Sequence, residues 1–315
     1  MSSMSRLAVL ALALATAGVQ AAAPQVKSQA PGYYRMMLGD FEITALNDGT
    51  LDLPVDKLLK ENQPGQVLRA LQHAYLGTPL ETSVNGFLIN TGGKLVLVDT
   101  GTAGAWGPSA GRLLANLKAA GYQPEQVDEV YITHMHGDHV SGLMLDGKPA
   151  FPNAVVRMDK READYWLSAE QMAQAPAAAQ GGFKGAQAAT KPYAEAGRLK
   201  PFDGAVELVP GVSARPAYGH TPGHTVYVAE SKGQKMVFGG DLMHVAAVQF
   251  ADPTVTISFD SDSSAAMPQR QKTYAEAAGN GEYLAFTHVA FPGIGRLRPD
   301  GKGYIWLPAN YSIKP

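Results

Sequence analysis

A dense group of metal-binding side chains lies in one segment that reads Thr-His-Met-His-Gly-Asp-His. In an extended chain, residues two apart point the same way, so His134 and His136 can bind one ion. Gly137 then lets the chain turn and direct Asp138 and His139 towards a second position. Neutral imidazole and carboxylate groups suit Zn²⁺ or a similar divalent cation. The spacing therefore predicts a metal centre rather than a polar surface loop.

The composition narrows the chemistry further. The 315-residue chain has no cysteine, which excludes disulfides, iron–sulfur clusters, thiolate zinc sites and cysteine nucleophiles. Any metal is therefore held by His, Asp or Glu. With 26 Lys and Arg against 28 Asp and Glu, the net charge is −2, and no basic surface for nucleic acid is indicated. We expect a small-molecule substrate and no nucleic-acid partner.

Residues 1–23 have the features of a secretory signal peptide. Arg6 precedes a mostly apolar run from Leu7 to Ala17, and small residues before position 24 offer cleavage sites. The run is too short to act as a permanent membrane anchor. A buried N-terminal helix is the alternative. We expect a periplasmic or secreted protein, without a membrane partner, that acquires its metal after export.

Short strand-like runs alternate with helical patterns along the rest of the chain. The predicted strands are Phe41–Leu46, Val84–Asn90, Lys94–Asp99, Glu129–Thr133, Ala154–Met158, Ala205–Pro210, Thr225–Glu230, Lys235–Gly239 and Tyr283–Thr287. The predicted helices are Arg112–Ala120, Arg161–Ser168 and Ala265–Ala278. The Ala-, Gln- and Gly-rich stretch Gln174–Ala189 predicts a mobile loop or a poor helix. This order favours a layered α/β fold in a single domain, residues 32–315.

Several motifs follow one another in an order that resembles the metallo-β-lactamase fold hydrolases. His134-x-His136-x-Asp138-His139 resembles the metal-binding signature of that family. The other matching motifs are Leu97–Gly101, Gly219–His224, Gly239–Asp241 and Phe286–His288. Within the superfamily the chain is most similar to the methyl parathion hydrolase branch, which includes aryl-lactone hydrolases. The segments that carry this closer resemblance are Ala30–Arg35, Gln123–Asp128 and Phe291–Gly295.

The resemblance implies a fold and a ligand set. The fold is an αβ/βα sandwich, two mixed sheets flanked by helices, with the site at one edge. Two divalent cations are implied, most simply Zn²⁺, with Co²⁺, Mn²⁺ or Fe²⁺ as alternatives. His134, His136 and His220 would bind one ion, Asp138, His139 and His288 the other, and Asp241 both. Asp99 and His224 would orient these groups without touching metal. The resemblance also implies a homodimer.

The reaction implied by this ligand set is hydrolysis. A water or hydroxide that bridges two ions attacks a carbonyl or phosphoryl centre, and no Ser or Cys nucleophile is needed. Asp138, Asp241 and His244 are therefore the expected catalytic residues. His244 stands where related lactone hydrolases can carry a Tyr that contacts the substrate oxygen, so it could donate a hydrogen bond or protonate the leaving group. The alternative is a pocket-lining side chain without a chemical role.

The resemblance also places apolar side chains around the substrate. The expected pocket residues are Leu58, Trp106, Trp166, Phe183, Ile257 and Phe259, together with His244. Aromatic walls favour flat aryl groups. Organophosphate-hydrolysing relatives have a longer basic side chain at the place of Leu58 and smaller ones at those of His244 and Phe259. These departures favour aryl lactones or esters of the dihydrocoumarin type, with organophosphate hydrolysis as a promiscuous activity.

Other activities stay open at this point. The first alternative is a methyl parathion hydrolase-like phosphotriesterase that uses the same ligands, and another is an N-acyl homoserine lactonase. A thioester hydrolase would have the same ligand set. An iron-dependent oxidoreductase and a non-catalytic metal-binding module are alternatives from other classes, and metal analysis with assays of turnover distinguishes them.

Overall fold

The computed structural model describes residues 23–313 of the chain. The predicted signal peptide, residues 1–23, lies outside the described residues except for Ala23. The residues from Pro31 onwards form one compact unit. Within the described range, no helix is both long and apolar enough to cross a membrane.

Strands and helices alternate along this unit. The strands are β1 (Tyr33–Leu38), β2 (Phe41–Leu53), β3 (Leu59–Lys60), β4 (Leu80–Asn90), β5 (Leu95–Val98), β6 (Glu129–Tyr131), β7 (Met144–Leu145), β8 (Lys148–Pro149), β9 (Val155–Arg157), β10 (Val206–Val209), β11 (Val212–Pro216), β12 (Thr225–Ser231), β13 (Gln234–Phe238), β14 (Thr256–Ile257), β15 (Tyr283–Ala285), β16 (Ile294–Asp300) and β17 (Gly303–Pro308). The helices are α1 (Val55–Leu58), α2 (Gln66–His73), α3 (Leu113–Ala119), α4 (Gly137–Val140), α5 (Lys160–Trp166), α6 (Ala169–Gln174), α7 (Gln180–Glu195), α8 (Ala246–Gln249) and α9 (Ser263–Asn280).

Two mixed sheets form the centre of the fold. The first has the strand order β1-β2-β4-β5-β6-β9, and the second has the order β10-β11-β12-β13-β15-β16-β17. In the first sheet β5, β6 and β9 run parallel, and in the second β13 and β15 run parallel; the other neighbours are antiparallel. Short pairs, β3 with β14 and β7 with β8, lie apart from them.

The apolar core is layered because strand side chains alternate between two faces. In β5, Val96 and Val98 join a cluster between the two sheets, while Leu95 and Leu97 join a cluster under the helices. A strand buried on both faces is apolar at every position, as this one is. Helices α3 and α7 cover the first sheet and α9 covers the second. The predicted metallo-β-lactamase sandwich is confirmed.

Every predicted strand overlaps an observed one, but some elements escaped prediction. Strands β1, β11, β16 and β17 and helix α2 were not predicted. The stretch Gln174–Ala189, expected as a loop or a poor helix, is helical from Gln180 onwards. The glycines and glutamines of this stretch weaken its helical pattern in the sequence. In the structure, Phe183, Ala186 and Tyr193 are nevertheless buried along one side of α7. Tertiary packing, not local propensity, stabilises this helix.

The strand ends position the functional side chains. The carboxyl ends of parallel strands meet at one edge of a sheet, and the loops that leave β5, β6, β13 and β15 carry the segments that contain Asp99, His134, Asp241 and His288. Strand β12 runs antiparallel to β13, so the segment that enters it, with His220 and His224, lies at the same edge. The motifs that are far apart along the chain therefore meet.

Candidate metal centre

One group of four ligand atoms surrounds a common point. Nδ1 of His136 lies 3.0 Å from Nε2 of His134 and 3.1 Å from Nε2 of His220. Oδ2 of Asp241 lies 3.5 Å from the Nε2 atom of His134 and 3.3 Å from that of His220. A tetrahedral zinc ion with bonds of ~2.0–2.1 Å places its ligands roughly 3.3 Å apart, so the spacing fits such an ion.

A second group adjoins the first through the same aspartate. Oδ1 of Asp241 lies 3.1 Å from Nε2 of His139 and 3.2 Å from Nε2 of His288. Oδ2 of Asp138 completes the group, 3.4 Å from Nε2 of His288 and 3.6 Å from Nε2 of His139. Each carboxylate oxygen of Asp241 thus faces a different set of side chains. The structure brings together all seven residues expected as ligands.

Hydrogen bonding within the protein does not account for this arrangement. Nε2 of His139 and Oδ1 of Asp241 are buried without a hydrogen-bond partner, and so are both ring nitrogens of His244. Buried polar atoms are nearly always satisfied, so such a cluster requires another partner. Two divalent cations would satisfy the imidazole and carboxylate lone pairs, and the residues present therefore fit a dimetal centre.

The charge balance of the cluster also calls for cations. Burial lowers the pKa of His134 well below its usual value and that of His136 to about 3, so both rings are neutral ligands at pH 7. Burial opposes protonation of His288 as well, yet the carboxylates of Asp241 and Asp138 raise the pKa of that ring to about 10. Positive charge is thus favoured between the carboxylates, and a metal ion supplies it in place of protons.

Asp99 and His224, which the resemblance gave orienting roles, form hydrogen bonds with residues of the cluster. Asp99 accepts a hydrogen bond from Nδ1 of His139 at 2.8 Å, and its other oxygen accepts one from the backbone of Thr133 at 2.8 Å. Nε2 of His224 accepts a hydrogen bond from the backbone N–H of Asp241 at 3.1 Å, while its Nδ1 donates to the carbonyl of Ala217 at 3.2 Å. Asp99 thus orients His139, and His224 fixes the backbone of Asp241. Neither side chain belongs to the two groups of ligand atoms described above.

Asp260 orients another ligand and was not predicted. Its buried Oδ1 accepts a hydrogen bond from Nδ1 of His220 at 3.0 Å. This contact leaves Nε2 of His220 free to face Asp241, as in carboxylate–histidine–metal arrangements. His288 is oriented similarly, because its Nδ1 donates to the carbonyl of Ser83 at 3.0 Å. Asp260 is 40 residues from His220 along the chain, and no local spacing connects the two.

Close backbone approach explains the glycine before Asp241. Gly240 has a left-handed backbone with φ of +49°, and a β-carbon there would lie 2.8 Å from Nε2 of His224 and 2.9 Å from Cβ of Thr133. Glycine alone meets both demands. The turn after β13 can therefore carry Asp241 into the cluster.

A mostly apolar cavity of about 410 Å³ opens onto the centre. Its wall contains His136, Asp138, Asp241, His244 and His288, and also Leu51, Leu53, Trp106, Trp166, Ala178, Ala179, Gly182 and Phe259. Trp166 contacts His136 edge to face at 5.5 Å. Trp106 and Phe259 are about half exposed and stand at the cavity, as the sequence predicted. Leu51 and Leu53 were not predicted.

Three expected pocket residues are not among those that line this cavity in the described structure: Leu58, Phe183 and Ile257. Phe183 is buried in the helix-side core of the first sheet, behind Trp166, with ring centroids 4.7 Å apart. Leu58 and Ile257 pack together in a separate apolar cluster with Val55. An apolar side chain that is expected at a pocket can pack into the apolar core instead, because burial of apolar surface is strongly favourable.

His244 lies at the junction of the centre and the cavity. Its Nε2 is 3.0 Å from Oδ2 of Asp241, and its ring stacks on that of His288 at 5.2 Å. The ring of Phe259 also packs against it, with ring centroids 5.8 Å apart. Burial lowers the pKa of His244, so the neutral ring presents one N–H donor to this space.

The model of one protein family matches residues 80–288, from the start of β4 to the last ligand, and that model describes the metallo-beta-lactamase superfamily. The chain belongs to the metallo-beta-lactamase superfamily. It is a hydrolase of the metal-dependent type, and its His and Asp cluster is the centre for divalent cations. No curated protein sequence matches the chain.

Solved structures of the superfamily resemble the chain over most of its length. The crystal structure of the hydrolase AbOPH has 40% identity, covers 90% of this chain and 100% of its own, and gives a TM-score of 0.86. AidC, a dizinc quorum-quenching lactonase bound to the product N-hexanoyl-L-homoserine, has 26% identity, coverages of 89% and 98% and a TM-score of 0.77. An N-acyl homoserine lactone hydrolase with product at its metal centre shares the fold at 19% identity, coverages of 84% and 99% and a TM-score of 0.58.

Asp260→Asn tests the orienting carboxylate. The amide keeps the size of the side chain but removes the negative charge that faces Nδ1 of His220. We expect metal affinity to fall roughly 10–100-fold, as for other carboxylates that orient ligand imidazoles. Competition with a chromophoric chelator measures this affinity.

Asp262→Asn is the matched control, because Asp262 caps the start of α9 and contacts no ligand side chain in the described structure. Its metal affinity should equal that of the parent. A parent-like affinity in the Asp260→Asn protein would contradict the orienting role.

Proposed function

We propose that the enzyme hydrolyses aryl lactones and aryl esters of the dihydrocoumarin type, with organophosphate hydrolysis as a weaker, promiscuous activity. The observation that carries this proposal is the aromatic cavity directly above the metal-ligand cluster. Trp106, Trp166 and Phe259 line it, and its volume of about 410 Å³ lies in the range of small-ligand sites. Stacking on such side chains favours flat aryl groups over branched ones.

The chain's own residues arrange the reacting groups around the centre. Two divalent cations, when bound, activate a water and polarise the carbonyl oxygen of an ester. Asp241 and Asp138 hold their carboxylates at the floor of the cavity, close to where a scissile carbonyl would lie. Trp166 packs against His136 and closes one side of the floor, which orients a flat substrate across the cluster.

His244 is the candidate hydrogen-bond donor to the carbonyl or leaving oxygen. It lines the cavity, is neutral because burial lowers its pKa, and its Nδ1 has no hydrogen-bond partner in the described structure. An N–H donor at this point can stabilise the developing negative charge on a carbonyl or leaving oxygen. Its contact with Asp241 fixes the ring beside the carboxylates.

Phe259 supports the preference for planar substrates. Its ring stands over His244 and narrows the cavity beside the hydrogen-bond donor. A planar lactone needs less space there than a tetrahedral dialkyl phosphotriester. The phosphotriesterase alternative uses the same ligands and differs in how this space is filled.

An N-acyl homoserine lactone is the second candidate substrate class. AidC, 26% identical to this chain, was solved with the product of such a substrate. The aliphatic part of the cavity wall, Leu51 and Leu53, offers an apolar surface for an acyl chain. Both candidate classes include lactones, so they share ester-bond hydrolysis and differ in the group that the cavity binds.

A substrate panel tests the proposal. Metal-replete enzyme is assayed with dihydrocoumarin, phenyl acetate, N-hexanoyl homoserine lactone and a dimethyl aryl phosphotriester, with metal content measured in parallel and a chelated sample as background. We expect kcat/KM for dihydrocoumarin to exceed that for the phosphotriester by about tenfold or more, equivalent to about 1.4 kcal/mol in the transition state. A larger kcat/KM for the phosphotriester would reverse the assignment, and one for the acyl homoserine lactone would select the second candidate.

His244→Ala tests the hydrogen-bond donor. Loss of a donor to a developing oxyanion typically lowers the rate by about 10²-fold or more, and a poor leaving group develops the most charge that needs such a donor. We expect that loss in kcat for phenyl acetate and a much smaller one for p-nitrophenyl acetate, whose leaving group needs no such donor. The control is His73→Ala, since His73 is exposed at the end of α2. Equal kcat losses for both esters, or none, would remove His244 from this role.

A further inference from the structure

A fully buried glutamate lies between the two loops that carry three of the ligand histidines. Glu162, on helix α5, has no exposed surface. Its Oε1 accepts a hydrogen bond from the backbone N–H of Met135 at 2.8 Å. Its Oε2 accepts hydrogen bonds from the hydroxyl of Thr221 at 2.7 Å and from the backbone N–H of Gly223 at 2.9 Å.

Two of these three donors are next to ligands in the chain, and the third, Gly223, lies three residues after His220. Met135 lies between His134 and His136, and Thr221 directly follows His220. One carboxylate therefore joins the segment after β6 to the segment before β12. A backbone hydrogen bond from the N–H of Thr225 to the carbonyl of Thr133, at 3.0 Å, joins the two segments where β12 begins. The side chain of Glu162 adds a second link, beside His134, His136 and His220.

The three partners suit an ionised carboxylate. Two of them are backbone N–H groups, which can only donate, and the hydroxyl of Thr221 donates as well. Burial raises the pKa of Glu162, and its hydrogen bonds with Thr221, Met135 and Gly223 oppose that rise. A buried carboxylate with three donors is stable only while the donors stay in place, so it constrains both loops.

Close packing reinforces the link. A β-carbon on Gly223 would lie 2.2 Å from the backbone nitrogen of Glu162. The second loop therefore rests directly on the first turn of α5. One turn later the same helix carries Trp166, which packs on His136 and lines the cavity. Helix α5 thus connects the ligand loops to the wall of the substrate site.

We propose that Glu162 is a positioning residue that holds the His134–His136 and His220 loops at the spacing needed to bind one of the two cations. The other cation group, Asp138, His139 and His288, is held by different contacts, from Asp99 and from the carbonyl of Ser83. Loss of Glu162 should therefore weaken one metal position selectively. The inference rests on the dimetal centre and is independent of which ester the enzyme prefers.

Glu162→Gln tests the selectivity. The amide keeps the shape but replaces one acceptor oxygen with an NH₂ group that faces a donor. After dialysis against metal-free buffer, we expect metal content to fall from about two ions per chain to about one, and affinity for the weaker ion to fall roughly 10–100-fold. Mass spectrometry gives the content, chelator competition the affinity, and the visible spectrum of the Co²⁺ form the coordination of the remaining ion.

Two further variants separate positioning from folding. Thr221→Val removes a single donor without changing side-chain shape, and it should weaken the same ion to a smaller degree. Glu129→Gln is the control, since Glu129 is a buried glutamate paired with Arg157 at 2.6 Å and forms no hydrogen bond with a ligand side chain within the described residues. It should keep both ions. Circular dichroism and thermal unfolding of the metal-free proteins report on the fold.

The outcomes are distinct. Selective loss of one ion from the Glu162→Gln and Thr221→Val proteins, with the Glu129→Gln protein unchanged, supports the proposal. Retention of both ions at parent affinity, with at most a lower unfolding temperature, would overturn it. Equal weakening of both ions would overturn it too. If Glu162→Gln does not fold, the Thr221→Val protein decides by the same criteria. A failed substrate panel would leave these metal measurements, and hence this test, unaffected.

Discussion

The carboxylate of Asp241 is the contact on which the rest of the site depends. One of its oxygens faces His134 and His220, and the other faces His139 and His288. A buried carboxylate among unprotonated imidazoles would be costly without a compensating charge. Two divalent cations would compensate that charge and satisfy the unpaired ring nitrogens, with Asp241 facing both groups of ligands. The geometry of this one side chain therefore explains why two ions, and not one, fit the cluster.

The surrounding structure keeps Asp241 in place from several directions. The glycine before it permits the close approach to His224, whose ring accepts the hydrogen bond of the Asp241 backbone. Carboxylates from other elements, Asp99 and Asp260, orient the imidazoles on either side. Such contacts hold ligand atoms in position before an ion binds, and preorganisation of this kind is the main contribution of a protein to a metal-assisted reaction.

The segment from His134 to His139 could be predicted from the sequence because its four ligands lie within six consecutive residues. The spacing of His134, His136, Asp138 and His139 follows from strand geometry and one turn. His220, Asp241 and His288 were expected only from the order of motifs that resembles a known family. Asp260 and Glu162 were missed, since their contacts depend on tertiary packing between segments 27 to 61 residues apart. The pocket was only half predicted for the same reason: Phe183 and Ile257 pack into apolar clusters beside it.

A crystal structure of the zinc-loaded enzyme, with anomalous data collected above and below the zinc edge, tests the central claim most directly. The account predicts two anomalous peaks about 3.5–4 Å apart. Oδ2 of Asp241 should coordinate one of them with the imidazoles of His134, His136 and His220, and Oδ1 the other with Asp138, His139 and His288. A single peak at full zinc loading, or two peaks with Asp241 coordinating neither or only one, would contradict it.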